Sequence, residues 1–328
     1  MNDQVGVARA EPEPLLCPPY AIGYSLAKKY WARFSIDNLS SIQWTENAWE
    51  SLILDDEQKD VIQAVVSSHQ YPEDARNQPE QKGKGLVILL HGSPGSGKTL
   101  TAETAAEGTK KALLSASLGD LNKTDLAYIF EYELQKLLQY ATVWKAIVLL
   151  DEADVFLEAR DESSGDGRRN ALVAVFLKQL EYFAGIVFLT TNRLSSFDRA
   201  MKSRIHLALG YGPPDDDVRR RIWDQCLNGV PVEEQGLDDI DAVARVLSTV
   251  KMNGREISNA LNTARTIARF RGTKLQITHI ESVCKVKSAF EKSLRYGARS
   301  LTSEETGNPN LSGLIRRNSI LLEEPEEY

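Results

Sequence analysis

The chain is 328 residues long, with 42% hydrophobic residues, 26% charged residues and a formal net charge of −7. At roughly 150 residues per domain that length fits two domains, and a composition near the globular average excludes a collagen-like or mostly disordered chain. The acidic balance argues against general affinity for nucleic acid or a membrane surface. Three scattered cysteines, Cys17, Cys226 and Cys284, exclude a disulfide framework or a zinc cluster and read as small buried hydrophobes.

No stretch approaches the roughly eighteen apolar residues of a membrane span. Residues 1–19 carry Asp3, Glu11, Glu13 and several prolines but no apolar signal core, so they read as a flexible lead-in. An intracellular protein, cytoplasmic by default with the nucleus left open, is the expectation. Residues 20–85 read as a helical and linker segment. Trp31, Phe34, Trp44 and Trp49 fall among apolar spacings, and the stripe Val61, Ile62, Val65 and Val66 predicts a docked helix. Residues 70–85 are polar with Pro and Gly punctuation, as in a loop.

Over 86–211 short apolar runs alternate with helical patterns. The runs are LVILLH (86–91), ALLSA (112–116), AIVLL (146–150), IVFLTT (186–191) and RIHLAL (204–209). Continuous runs of this length separated by helices predict a parallel sheet buried on both faces, hence an α/β domain. Past Gly212 the strands stop. A helix beginning near Asp215 is followed by helical patterns at Ile240–Ser248, Gly254–Phe270 and Thr278–Leu294, the last with Thr278 as expected N-cap. Residues 212–297 therefore read as a small helical domain and 298–328 as a disordered tail.

The segment Gly92-Ser93-Pro94-Gly95-Ser96-Gly97-Lys98-Thr99 fits G-x-x-x-x-G-K-[ST], with an apolar strand before it and a helical pattern from Leu100 after it. Average residue frequencies give about a 1% chance of this pattern in such a chain. Its glycines let successive N–H groups curl around phosphate oxygens at a helix N-terminus. In that arrangement Lys98 supplies a point charge for the β and γ phosphates, Thr99 a Mg²⁺ ligand, and Leu100 closes the nucleotide-binding segment. His91 reads as an ordinary strand-end residue.

The run 146–150 ends in Asp151-Glu152. Acids at the C-terminal edge of a parallel strand lie where open α/β sheets bind ligands. There Asp151 can hold Mg²⁺ through its water shell and Glu152 can polarise an attacking water, although the same pair would also suit an ordinary helix N-terminus. Asn192, closing the next run, sits where an amide could bond a γ phosphate or that water; an Asn at a strand end is also common turn chemistry.

Together the phosphate loop, Asp151-Glu152, Asn192, Ser203-Arg204 and Gly254-Arg255-Glu256-Ile257 resemble the AAA+ ATPases, and the wording over about residues 20–296 is similar to a group of fungal AAA-type ATPases. The resemblance implies a P-loop NTPase sheet of order 5-1-4-3-2 followed by an all-helical lid. It implies ATP and Mg²⁺, with Lys98 and Thr99 as Walker A, Asp151 and Glu152 as Walker B and Asn192 as sensor 1. It makes Arg204 an arginine finger acting on a neighbouring subunit, Arg255 sensor 2, and the segment around Ile36–Leu54 a linker near the adenine. A homo-oligomeric ring, the hexamer included, and a protein client follow from it.

Three departures stand out. The second finger position holds Leu207. The segment Leu118–Thr124 lacks the aromatic residue with which many relatives grip polypeptide, which leaves threading without its usual residue. The 85 residues before the first strand leave no room for a recruitment domain. A nucleotide-dependent binding switch and a DNA-associated loader are the alternatives to a protein remodeller. Arg168-Arg169 and Arg219-Arg220-Arg221 could be basic contacts, but among many acids they read as solvated helix positions. Trp31, Trp44 and Trp49 read as core or interface anchors before base-stacking groups, and Arg316-Arg317-Asn318-Ser319 is a weak phosphorylation match.

Overall fold

The computed structural model describes residues 18–71, 84–121, 126–154, 167–193 and 199–304. The chain forms two units, Met1–Val218 and Arg219–Tyr328. The expected tail match at Arg316–Ser319 and the residue Cys17 lie outside the described residues.

The first unit opens with a surprise. Tyr20–Ser25 (β1) and Tyr30–Ser35 (β2) form a two-stranded antiparallel ribbon, with Tyr24 opposite Trp31. The helical spacing expected here does not hold: YAIGYS and YWARFS alternate with period two, and β-branched and aromatic residues suit a pleated, half-buried surface. The turn between them closes with Lys29 N–H donating to Ser25 O, Lys29 taking φ 59°. A short helix α1 (Ala48–Ser51) and α2 (Asp56–Ser68) follow. Asp55 caps α2 by accepting from Gln58 N–H, and the predicted stripe buries Ile62 and Val66 completely.

Five strands then build one parallel sheet: β3 (Leu86–Gly92), β4 (Leu113–Ser117), β5 (Ile147–Asp151), β6 (Ile186–Thr191) and β7 (Leu207–Tyr211). Their spatial order is β4-β5-β6-β3-β7, which is 5-1-4-3-2 when read from the other edge and numbered within the sheet. The last strand starts later than its apolar run suggested. His206 turns its ring toward Val87, whose N–H donates to His206 Nδ1 where a ladder carbonyl would otherwise sit, and strand register begins only at Leu207.

The strands other than β7 present alternate residues to two cores. Val87, Leu89, Val148 and Leu150 face one side, packed by α5 (Ala127–Trp144) and α6 (Gly167–Tyr182) through Phe130, Leu134 and Phe176. Ile88, Leu90, Ile147 and Leu149 face the other, packed by α1, α2 and α3 (Lys98–Gly108). The short helix α4 (Leu118–Leu121) follows β4, and α7 (Arg199–Lys202) precedes β7. Trp49, expected as an anchor, is buried in the second core against the C-terminal end of α3.

The second unit is helical. Helix α8 (Asp216–Asn228) runs across the division between the units, and α9 (Ile240–Ser248), α10 (Gly254–Phe270) and α11 (Ile277–Glu304) complete the set. Trp223, Leu227, Leu247, Ile257, Leu261 and Ile280 form its core, with Cys226 and Cys284 half-buried against it. Asn253 and Glu256 form a reciprocal capping box at the start of α10. Thr278 is not the cap of α11: the helix starts at Ile277, and His279 reaches back to accept from Gln276 N–H. That helix continues to Glu304, past the expected end near Leu294. Arg219 is not a solvated position either. It is buried, with Nε donating to Ser248 O at 2.6 Å. No helix among the described residues is long and apolar enough to cross a membrane.

The contact between α3 and the preceding segment is tight enough to test. A Cβ built on Gly108 would lie 2.1 Å from Trp49 Nε1. Gly108→Ala must therefore displace a buried indole, and chemical denaturation should show a loss of about 1–3 kcal/mol, as overpacking typically costs.

Candidate functional site

The site is set by strand order. Because β6 lies between β3 and β5, the C-terminal ends of these three strands bring the phosphate loop, Asn192 and Asp151-Glu152 side by side. This is the crevice at the carboxyl edge of an open sheet where ligands bind.

The loop after β3 curls because Gly92, Gly95 and Gly97 take φ of 145°, 75° and 101°. Gly92 is constrained twice, since a Cβ there would also meet Tyr211 O at 2.1 Å. Tyr211 ends the adjacent β7, and its hydroxyl pairs with Thr101 Oγ1 at 2.6 Å. Burial pushes the Tyr211 phenol up to about 12, so it stays protonated. Gly97 is the N-cap of α3 without a side-chain cap, so the first-turn N–H groups of that helix point toward the loop without a capping side chain.

Lys98 is buried, and an ammonium removed from water is costly unless its donors are met. Its Nζ donates to Gly92 O at 2.9 Å, Ser93 O at 2.8 Å and Asn192 Oδ1 at 3.0 Å. The expected Walker lysine and strand-tip amide are thus in direct contact. His91, just upstream, is half-buried; burial first, and then the Lys98 charge, lower its pKa and keep it neutral at pH 7.

The carboxylates are held by residues that no motif named. Asp151 Oδ1 accepts from the Thr190 hydroxyl and, at 3.1 Å, from Glu152 N–H. Glu152 N–H also approaches Thr190 Oγ1 at 3.2 Å, and Glu152 takes φ 58°. A non-glycine residue held in the left-handed region is a form of strain that clusters at functional sites. The Glu152 carboxylate itself makes no hydrogen bond or ion pair among the described residues. One turn on, Asp154 Oδ1 accepts from the Thr191 hydroxyl and from Asn192 N–H, fixing the strand tip. The signal for these partners was the Thr190-Thr191 pair at the end of an otherwise apolar run.

Arg204 does not begin a strand. It lies in the turn between α7 and β7, with NH2 donating to Glu181 Oε2 at 2.7 Å and NH1 to Ala200 O at 2.8 Å. Its side chain is only 25% exposed. Arg255 stands exposed in the first turn of α10, in the other unit.

The residues present fit a Mg–nucleotide. Ser96 Oγ is buried with no hydrogen-bond partner among the described residues, and a phosphate oxygen would accept from it. Thr99 and Asp151 offer one hydroxyl and one carboxylate. Among the described residues no group of three or more acids, histidines or cysteines could hold a metal, and Mg²⁺ held largely by phosphates and water needs none.

Comparison with known proteins agrees. The model of the "ATPase family associated with various cellular activities (AAA)" matches residues 88–212, and that of the "Fungal AAA+ ATPase lid domain" matches residues 215–299. Together these take in well over half of the chain, and the chain belongs to the AAA+ ATPases. It is 26% identical over 62% of its length to a 26S proteasome regulatory subunit 4 homolog B of Arabidopsis thaliana, covering 47% of that protein. It is 26% identical over 81% of its length to the ATP-dependent zinc metalloprotease FtsH of Parabacteroides distasonis, covering 40% of it. The ATPase family gene 2 protein of Saccharomyces cerevisiae is 29% identical over 46% of the chain, which covers 20% of that protein. The chain thus spans about half or less of the length of these relatives.

Thr190 provides the sharpest check on the geometry. Thr190→Val keeps the shape but leaves Asp151 and Glu152 N–H without their shared hydroxyl. Turnover should fall by about 10–100-fold, the usual effect of losing a group that orients a metal ligand, and more Mg²⁺ should be needed for half-maximal rate. Nucleotide affinity without Mg²⁺ should stay near that of the unaltered protein in a fluorescent-nucleotide titration.

Proposed function

We propose that the chain hydrolyses ATP in the crevice at the ends of β3, β5 and β6, and uses that hydrolysis to remodel a protein partner as a homo-oligomer. The observation that carries this reading is the Lys98–Asn192 contact, which joins the phosphate loop to the strand tip beside the carboxylates. The Lys98 ammonium exchanges its carbonyl and amide acceptors for phosphate oxygens when nucleotide enters. Asn192 is then released to orient the attacking water, and Glu152, one residue beyond the metal-side carboxylate, accepts its proton. Thr99 and Asp151 would hold Mg²⁺, which would supply charge neutralisation on the phosphates. Arg204 completes a neighbour's site once it leaves Glu181, and Arg255 keeps the sensor 2 role that the family resemblance implies.

A protein partner is favoured over nucleic acid by the net acidity, by the burial of Arg219, and by relatives named as a proteasome regulatory subunit and an ATP-dependent metalloprotease.

Glu152→Gln should retain ATP binding while turnover drops by about 10²-fold or more, because only the proton acceptor is lost. Unchanged hydrolysis would remove Glu152 from the mechanism. If Arg204 acts in trans, specific activity should rise with protein concentration. Mixing inactive Lys98→Ala and Arg204→Ala chains should then restore part of the rate, since each supplies what the other lacks. No recovery on mixing co-assembled chains would place Arg204 outside the neighbour's site.

A further inference from the structure

The β1–β2 ribbon is half anchored and half overhanging. Tyr24 and Trp31 share one of its faces and pack on Tyr140 and Trp144 of α5, with ring centroids 5.2–6.2 Å apart and Trp31 Nε1 donating to Tyr140 OH at 3.1 Å. The register puts Ile22 and Arg33 opposite each other on that same face, two residues further out. There Ile22 is 68% exposed, and the Arg33 guanidinium stacks over the Tyr20 ring at 4.8 Å.

The ribbon is basic in an acidic chain, with Arg33 on the overhang and Lys28 and Lys29 in the turn at its other end. From Pro18 to Ile36 the sequence holds Lys28, Lys29 and Arg33 and no acid, against a net charge of −7 for the whole. Lys29 meets Asp120, but Lys28 and Arg33 enter no ion pair among the described residues. Aromatic residues and arginine around an apolar centre are the composition of an interface.

The complementary surface lies on the same unit, across the sheet. Asp55, Asp56, Glu57 and Asp60 are all exposed on the first turns of α2, beside Val61, which is 42% exposed. None of these four acids enters an ion pair among the described residues. Helix α2 packs on one face of the sheet and the ribbon on the helices of the opposite face, so the sheet separates the two patches within one copy. Complementary patches on opposite sides of a unit meet only between copies, and such a heterologous contact propagates into a ring or filament.

We infer that the exposed part of the ribbon in one copy, from the Lys28 turn to Ile22 and Arg33, docks on the acidic first turns of α2 in the next, so that the chain associates head to tail with itself. This surface rests on the oligomeric reading above and assigns residues to it. The charges steer and orient the two copies, and Ile22 and Val61 supply the apolar centre.

Sedimentation velocity on the full chain with ATP and Mg²⁺ tests the pairing with two variants, Lys28→Glu/Arg33→Glu and Asp56→Lys/Asp60→Lys. Thermal melts should match the unaltered protein, since the replaced groups are exposed. Each variant alone should need at least about tenfold more protein for half-assembly, because like charges then face each other. An equimolar mixture of the two should assemble at the original concentration, the reversed ribbon of one meeting the reversed helix of the other. Assembly that ignores either reversal, or a mixture that does not recover, overturns the docking surface while leaving ATP hydrolysis and oligomerisation standing. An unaltered chain that stays monomeric at every concentration overturns the oligomeric reading and this surface with it.

Discussion

An ammonium taken out of water has to find acceptors, and the site is organised around that need. Lys98 finds them in two carbonyls of its own loop and in the amide of Asn192. For those bonds to form, β6 must lie next to β3 and the loop must curl inward, which only the positive-φ glycines permit. Strand order, loop conformation and charge burial are therefore one constraint. The same bonds leave a phosphate oxygen as the strongest competitor for the ammonium, since a charged acceptor makes a hydrogen bond roughly twice as strong as a neutral one.

Next to the ammonium, order is imposed by hydroxyls. Thr190 and Thr191 are the polar end of a fully buried strand, and each holds a carboxylate, Asp151 and Asp154 respectively. Buried polar networks fix geometry when all members are satisfied. Here the network sets the backbone of Glu152, while its carboxylate makes no hydrogen bond or ion pair among the described residues.

What the sequence made legible was local. Strands buried on both faces read as continuous apolar runs, and the glycine and lysine spacing of the phosphate loop encodes a backbone path directly. The order of the sheet came from resemblance, not from any pattern in the residues. The ribbon was missed because its Trp31 and Phe34, three apart, mimic a helical face while the true period is two. Thr190 with Asp151 and Arg204 with Glu181 are pairings 39 and 23 residues apart; the polar Thr190-Thr191 end of an apolar run hints at the first, and no local signal marks the second. The start of β7 depended on His206 turning its ring toward Val87, a choice only the packed sheet makes.

Helix α3 is fastened at both ends. Its first turn is tied to β7 through Thr101 and Tyr211, and its last abuts Trp49, while Glu107 accepts from Thr45 N–H at 3.1 Å. A helix clamped in this way cannot slide or tilt to accommodate a ligand, so the phosphate cradle at its head is built before anything enters. Little conformational entropy is then lost on capture. The heat-capacity change of nucleotide binding will come from surface covered at the site and not from folding of the cradle.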